Sequence, residues 1–111
     1  MPHHDDPIRL RHMLDASEKA VAFTHGRSRA DLDQDEQLAL AVVRLLEIIG
    51  EAAVHVSERT REKHPEFPWQ SMAATRNRLI HGYFDVDNDI IWNIVARDLP
   101  SVIQLLKRML A

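Results

Sequence analysis

The chain contains no cysteine, which removes both a disulfide framework and a thiolate metal site from consideration. Glycine is scarce, with three in the chain, and aromatics make up only 5%. Leu, Ala, Ile, Val, Glu and Arg dominate instead, a composition that favours helix over sheet. No long apolar run exists: the most hydrophobic stretch, Leu38 to Ile49, is interrupted by Arg44 and Glu47 and is too short to span a membrane. The opening Met-Pro-His-His-Asp-Asp lacks the charged and apolar regions of a secretion signal. Nor is there an excess of positive charge. A formal net charge of -3 supplies no global field toward nucleic acid and speaks against a general RNA-coating role, while leaving room for a local basic pocket. With 111 residues and 45% hydrophobic content, a single domain over 1–111 with one modest core is expected, soluble and cytoplasmic, with no membrane contact.

The hydrophobic spacing predicts an all-α antiparallel bundle of four to five helices. Asp6 as N-cap acceptor and Pro7 in the first turn start the first helix. Leu10, Met13, Leu14, Ser17, Val21 and Thr24 form its buried stripe, and His25-Gly26 ends it. A second helix is expected from about Asp33 to about Lys63, ~45 Å long. It carries one apolar stripe of Leu38, Ala41, Val42, Leu45, Ile49, Ala52 and Val56, and another of Leu40, Val43, Leu46, Gly50 and Ala53. A helix apolar on two sides needs two covers, and in so small a chain a second copy is the natural source of one, so a homodimer is expected. Gly50 and Ala53 would admit another backbone closely. After Pro65 and Pro68, a third helix reads Trp69, Met72, Ala73, Arg76, Ile80 and Tyr83, ending near Gly82. An acidic loop, Asp85 to Asp89, leads to a fourth, whose apolar period continues across Pro100 and so predicts a kink there.

The third helix carries the chemistry. Arg76 falls on the same stripe as Trp69, Met72, Ala73 and Ile80, a burying face where a guanidinium needs an anion, either a carboxylate or a substrate phosphate. Arg78, about 200° round, is expected to be solvated. His81 follows at the helix end, and Tyr83 lies seven positions after Arg76, nearly eclipsed with it. An imidazole that titrates near neutrality can move a proton to or from a ribose 2′-OH or a leaving oxygen. A guanidinium can fork two non-bridging phosphate oxygens and hold the charge of a pentacoordinate transition state. That chemistry requires neither metal nor cofactor. Spacing alone leaves a second reading open, with Arg76 in a structural ion pair and His81 as a C-terminal cap.

The run Arg76-Asn77-Arg78-Leu79-Ile80-His81-Gly82-Tyr83 resembles the Arg-x4-His-x-Tyr signature of the HepT-like branch of HEPN proteins, with Asn77 as the polar residue after the arginine. The flanking text is similar as well. Glu47-Ile48-Ile49-Gly50-Glu51-Ala52-Ala53 lies on the long helix, Phe67-Pro68-Trp69 before the motif, and Tyr83-Phe84-Asp85-Val86-Asp87 with Ile91-Trp92 after it. The resemblance implies a helical bundle that dimerises, with the arginine and histidine of both protomers in one composite cleft that cuts RNA without metal. It implies the toxin of a type VII-like toxin–antitoxin pair, with Arg76 and His81 catalytic and Asn77 supporting. It further implies a minimal nucleotidyltransferase antitoxin as partner, transferring AMP to Tyr83. Arg76 and His81 stand about 140° apart on an ideal helix, awkward for one chain and workable when two share a cleft. The alternative is a non-enzymatic subunit that binds nucleotide or accepts AMP from the nucleotidyltransferase.

Other signals carry less. Asp85, Asp87 and Asp89 open like an EF-hand loop, but Ile90 stands where glycine is required and Ala96 where glutamate is, so an acidic helix N-terminus is the reading. His3, His4 and His12 suggest adventitious metal binding at most. Arg44, Glu47, Glu51, His55 and Glu58 form a polar stripe read as a solvated face, with Glu47 or Glu51 also candidates to pair with Arg76. Arg59, Arg61, Lys63 and His64 form a basic patch where a helix dipole already favours cations.

Overall fold

The computed structural model describes residues 5–81 and 85–111, with Ile80, His81 and Asp85 described in backbone only. Helix α1, Asp6–Phe23, forms where the sequence placed it: Leu10, Met13, Leu14 and Ser17 are buried along one face, and the chain leaves the helix through Gly26 at φ 73°. That left-handed conformation suits a residue without Cβ. The start differs from expectation. Asp5, not Asp6, is the N-cap, and Asp6 is a buried first-turn residue whose carboxylate accepts from the Ser57 amide at 3.0 Å, the Ser57 hydroxyl at 2.6 Å and the Thr60 hydroxyl. The beginning of α1 is thereby tied to the residues just beyond α3, which makes the two helices antiparallel.

The expected 33–63 helix is three helices: α2, Arg29–Gln34; α3, Glu36–His55; and α4, Glu58–Lys63. Two caps cause the breaks. Asp35 adopts extended backbone and its side chain accepts from the Leu38 amide; Ser57, after extended Val56, does the same for Thr60. Both residue types compete with the helix for backbone donors, so a continuous apolar period across them does not guarantee a continuous helix. Both stripes of α3 are largely covered from within the chain. Leu38, Val42, Ile49 and Val56 are buried on one side, and Leu46, Gly50 and Ala53 on the other, whereas Leu40 and Val54 stay 64% and 54% exposed.

The third helix is also split, into α5, Trp69–Ala73, and α6, Thr75–Leu79, with a turn at Ala74. It does not run on toward Gly82. Ile80–His81 forms β1, paired antiparallel with β2, Asp85–Val86, and the Asp87 amide donates to the Leu79 carbonyl at 2.8 Å to close the pairing. Asp87 then caps α7, Asn88–Asn93, accepting from the Asp89 and Ile90 amides, as an acidic N-terminus should. Helix α7 continues through a π-helical turn, Ile94–Asp98, into α8, Leu99–Leu110. The irregularity expected at Pro100 thus lies just before it. Proline lacks an N–H and its ring crowds the carbonyl four residues back, which a wider turn relieves without stopping the helix. All the long helices contribute to one core, including Met13, Leu46, Ile49, Met72, Leu79, Ile91, Leu99 and Leu106. Four helical units (α1, α3, α5–α6 and α7–α8) make the all-α bundle, and two short strands are its only sheet among the described residues.

Candidate active site

The motif is carried by α5 and α6, and three contacts fix their course. Trp69 donates its indole N–H to the His64 carbonyl at 2.8 Å and packs on buried Phe67, which anchors the arm beyond the end of α3. At mid-course Gly50 meets α5 backbone to backbone: a Cβ there would lie 3.0 Å from the Met72 carbonyl and 3.6 Å from the Thr75 Cβ. The expected close approach at Gly50 is therefore real, and it is made by this chain's own motif arm. At the far end Arg29 pairs with Asp89 at 2.6 Å, and Asn88 donates to Asp33 at 2.9 Å, just ahead of the start of α3. Among the described residues, 69–81 and 85–89 thus lie along α3 between its C-terminal end, near Trp69, and its N-terminal end, near Asn88 and Asp89.

The face presented by Arg76 differs from expectation. Met72, Thr75 and Leu79 are buried, and Arg76 and Asn77 are exposed. The centre of the buried face lies about 70° from Arg76 at 100° per residue, so the guanidinium sits on the flank and not on the burying stripe. Arg78, expected to be solvated, is half-buried; it donates to the Ser71 hydroxyl at 3.0 Å and lies 4.0 Å from Asp98 in the π turn. The structural cation of the motif helix is Arg78. Arg76 makes no ion pair among the described residues, so neither Glu47 nor Glu51 neutralises it.

Arg76 and Asn77 open onto a cleft of about 430 Å³ between the motif arm and α3. Its other wall is the polar stripe of α3: Arg44, Glu47, Glu51 and His55, with Val54 beside them. The expectation that Glu47 or Glu51 could face Arg76 holds in that all three line this cleft, although among the described residues neither carboxylate pairs with it; the signal for the approach was the Gly50 between them. Arg44 and Glu47 form a loose pair at 3.9 Å, with Arg44 66% exposed. A second groove, of about 370 Å³, shares Glu51 and His55 and continues to α1 over Ile8, Ile48 and Ala52. Two guanidinium groups, an amide, an imidazole and two carboxylates can together bind an anion and hydrogen-bond a sugar or a base. Among the described residues no three His, Asp or Glu side chains converge as a metal site.

His81 is placed by its backbone, opposite Asp85 in the strand pairing. Because α6 ends at Leu79, the 140° helical separation of Arg76 and His81 has no bearing: His81 is not on that helix. The expectation for Tyr83, including its nearness to Arg76, lies outside the described residues, as do those for His3 and His4. Helix α2 is tied to α7, the helix that follows the strand pair. Hydrogen bonds from Asn88 and then Arg29 hold the Asp33 carboxyl below its usual range, and Asp89 raises Arg29. Among the described residues no helix is long and apolar enough to cross a membrane.

Comparison with known proteins adds the family. Similar chains include a protein of Caldanaerobacter subterraneus whose name marks it as an inferred RNase, 39% identical over 101 residues, covering 91% of this chain and 90% of the relative. Another, from Thermococcus cleftensis, is named "Probable ribonuclease HepT" and is 40% identical over 93 residues, covering 84% of each chain. A Methanocaldococcus jannaschii protein, again named as an inferred RNase, is 37% identical over 93 residues, covering 84% of this chain and 85% of its own. No solved structure matches the chain significantly. The model of the family described as "Ribonuclease HepT-like" matches residues 13–109, which takes in α3, the exposed Arg76 and the whole motif arm, and the chain belongs to that family.

Proposed function

We propose that this chain is a metal-independent endoribonuclease, the toxin of a toxin–antitoxin pair acting in the cytoplasm as a homodimer. The observation that carries the reading is Arg76: a motif arginine, exposed, without an ion pair among the described residues, facing a polar cleft in a chain of a ribonuclease family. In the reaction the ribose 2′-oxygen attacks the adjacent phosphorus and the bond to the 5′-oxygen breaks. His81 moves the proton at one of these oxygens, Arg76 holds the non-bridging oxygens as negative charge grows, and Asn77 hydrogen-bonds the ribose or phosphate beside it. A second copy would cover exposed Ile8 and Val54, which edge the grooves, and would bring its own Arg76 and His81 to a shared cleft. The partner on this reading is a minimal nucleotidyltransferase that transfers AMP to Tyr83, adding a phosphodiester that competes with RNA for Arg76.

The experiment is cleavage of labelled RNA by purified protein in EDTA, followed by the same assay after incubation with the cognate nucleotidyltransferase, ATP and magnesium. Products should end in 2′,3′-cyclic phosphate or 3′-phosphate. Arg76→Ala and His81→Ala should each cost on the order of 10²-fold or more in rate. The AMP-treated protein should gain mass and lose activity, and Tyr83→Phe should escape both changes. Cleavage that survives both alanine variants, or that stops in EDTA, refutes the mechanism. AMP addition to a chain that never cuts RNA would instead establish the non-enzymatic alternative.

A further inference from the structure

We propose that Arg44 is a second phosphate-binding residue of the cleft, holding the phosphate next to the scissile one, so that the substrate is single-stranded RNA of at least three nucleotides. The proposal rests on the ribonuclease reading and extends its site from the motif to α3. Arg44 lines the same cleft as Arg76 and Asn77. It is 66% exposed, and its ion pair with Glu47 is 3.9 Å long, which leaves most of its five N–H donors unengaged by that carboxylate.

Its level along α3 suits the role. Thr75 faces Gly50, and Arg44 lies six residues nearer the N-terminus of α3, ~9 Å along the helix in the direction that the motif arm takes. From Thr75 the arm continues through the rest of α6 into β1, which ends at His81, a contour of at most ~12 Å. A strand whose scissile phosphate sits on Arg76 therefore passes Arg44 as it extends toward the His81 end. A carboxylate between them matters too. Glu47 stands at a level between the two cations, where it repels a phosphate, and both it and Glu51, beyond Arg76, can accept hydrogen bonds from base N–H groups or ribose hydroxyls. The cleft thus has two cationic points with an acceptor between them, which fits an unpaired strand with its bases free to turn inward.

The test uses short RNAs carrying 2′-O-methyl groups throughout, which cannot be cut, and measures binding by anisotropy from low to high salt. With a trinucleotide, the slope of log affinity against log salt should fall by about 0.7 in Arg44→Ala, the share of one single-strand phosphate contact. Arg44→Lys should restore it, and Arg97→Ala, at an exposed arginine of the π turn, should leave it unchanged. A dinucleotide, with one phosphate, should bind wild type and Arg44→Ala alike. The matching cleavage assay should show Arg44→Ala raising KM about 10-fold on the longer substrate with kcat nearly intact. An unchanged slope in Arg44→Ala, or an equal loss with the dinucleotide, overturns the second phosphate site. If Arg76→Ala still impairs cleavage in that case, the ribonuclease reading stands; if Arg76→Ala has no effect either, the ribonuclease reading fails first.

Discussion

Replacing Gly50 by alanine sets two known effects against each other, and the geometry decides between them. Alanine in a helix interior is favoured over glycine by roughly 0.5–1 kcal/mol, because glycine loses more backbone entropy on folding. At Gly50 the new methyl would stand 3.0 Å from the Met72 carbonyl oxygen and 3.7 Å from that of Ala73. The obstacle is peptide backbone, not the flexible tip of a side chain, so relief requires α5 and α6 to move as a unit. Overpacking of this kind costs about 1–3 kcal/mol. The net expectation is a loss of about 1 kcal/mol for Gly50→Ala, or roughly 4 °C in Tm for a chain of this size, with a larger loss for Gly50→Val. Urea unfolding measures the first quantity. RNA cleavage measures the second consequence, since shifting the arm by a few tenths of an ångström displaces Arg76 and Asn77 relative to the α3 wall. A Gly50→Ala protein as stable as wild type or more so, with unchanged activity, would show that helix propensity outweighs the close approach and that the arm is not held where described.

Asp6→Ala should lower stability by about 2 kcal/mol or more in urea unfolding, because it leaves Ser57 and Thr60 donors without their buried carboxylate, and Asp6→Asn should lose less. An Asp6→Ala protein as stable as wild type would mean that these donors find other partners at no cost. Acid should loosen α2 from α7. The Asp33 carboxyl is held below its ordinary value, first by Asn88 and then by Arg29, so its stabilisation is complete above the unfolded carboxylate pKa and is lost as pH falls through the lowered one. Amide exchange in α2 should therefore rise at pH well under 4 before the core opens. Equal protection of α2 at pH 3 and pH 6 would contradict that order.

What sequence made legible in the fold followed from burial, and what it missed followed from polar competition. The stripe of α1 and the exit at Gly26 came through because apolar spacing and a left-handed turn each leave an unambiguous mark. The long central helix did not, since hydrophobic period is blind to a capping side chain. Asp35 and Ser57 sit among residues that keep the period, yet each takes backbone donors for itself and resets the chain. At Pro100 the irregularity was legible and its form was not. A π turn and a kink answer the same missing N–H, and the sequence does not distinguish them.

At the candidate site the residues were legible and their roles within the fold were partly inverted. A periodicity argument put Arg76 on the buried stripe and Arg78 in solvent, whereas Arg78 reaches Ser71 and Asp98 and Arg76 is exposed. The stripe was read across Ala74 as one helix. The true buried set, Met72, Thr75 and Leu79, includes a threonine whose hydroxyl is satisfied by the Ser71 carbonyl and so carries no hydrophobic signal. Counting Thr75 as buried turns the face by most of a right angle and frees Arg76. That correction strengthens the functional reading. A guanidinium fixed in a structural ion pair would have to give up a carboxylate before taking a phosphate, whereas an exposed one lining the cleft faces no such exchange. The sequence-stable half of the site, Arg76 with Asn77, is local to one helix turn. Its other half depends on Gly50 bringing α3 against the motif arm, a contact between residues far apart in the chain: the glycine marks that some backbone comes close, and no local pattern says which.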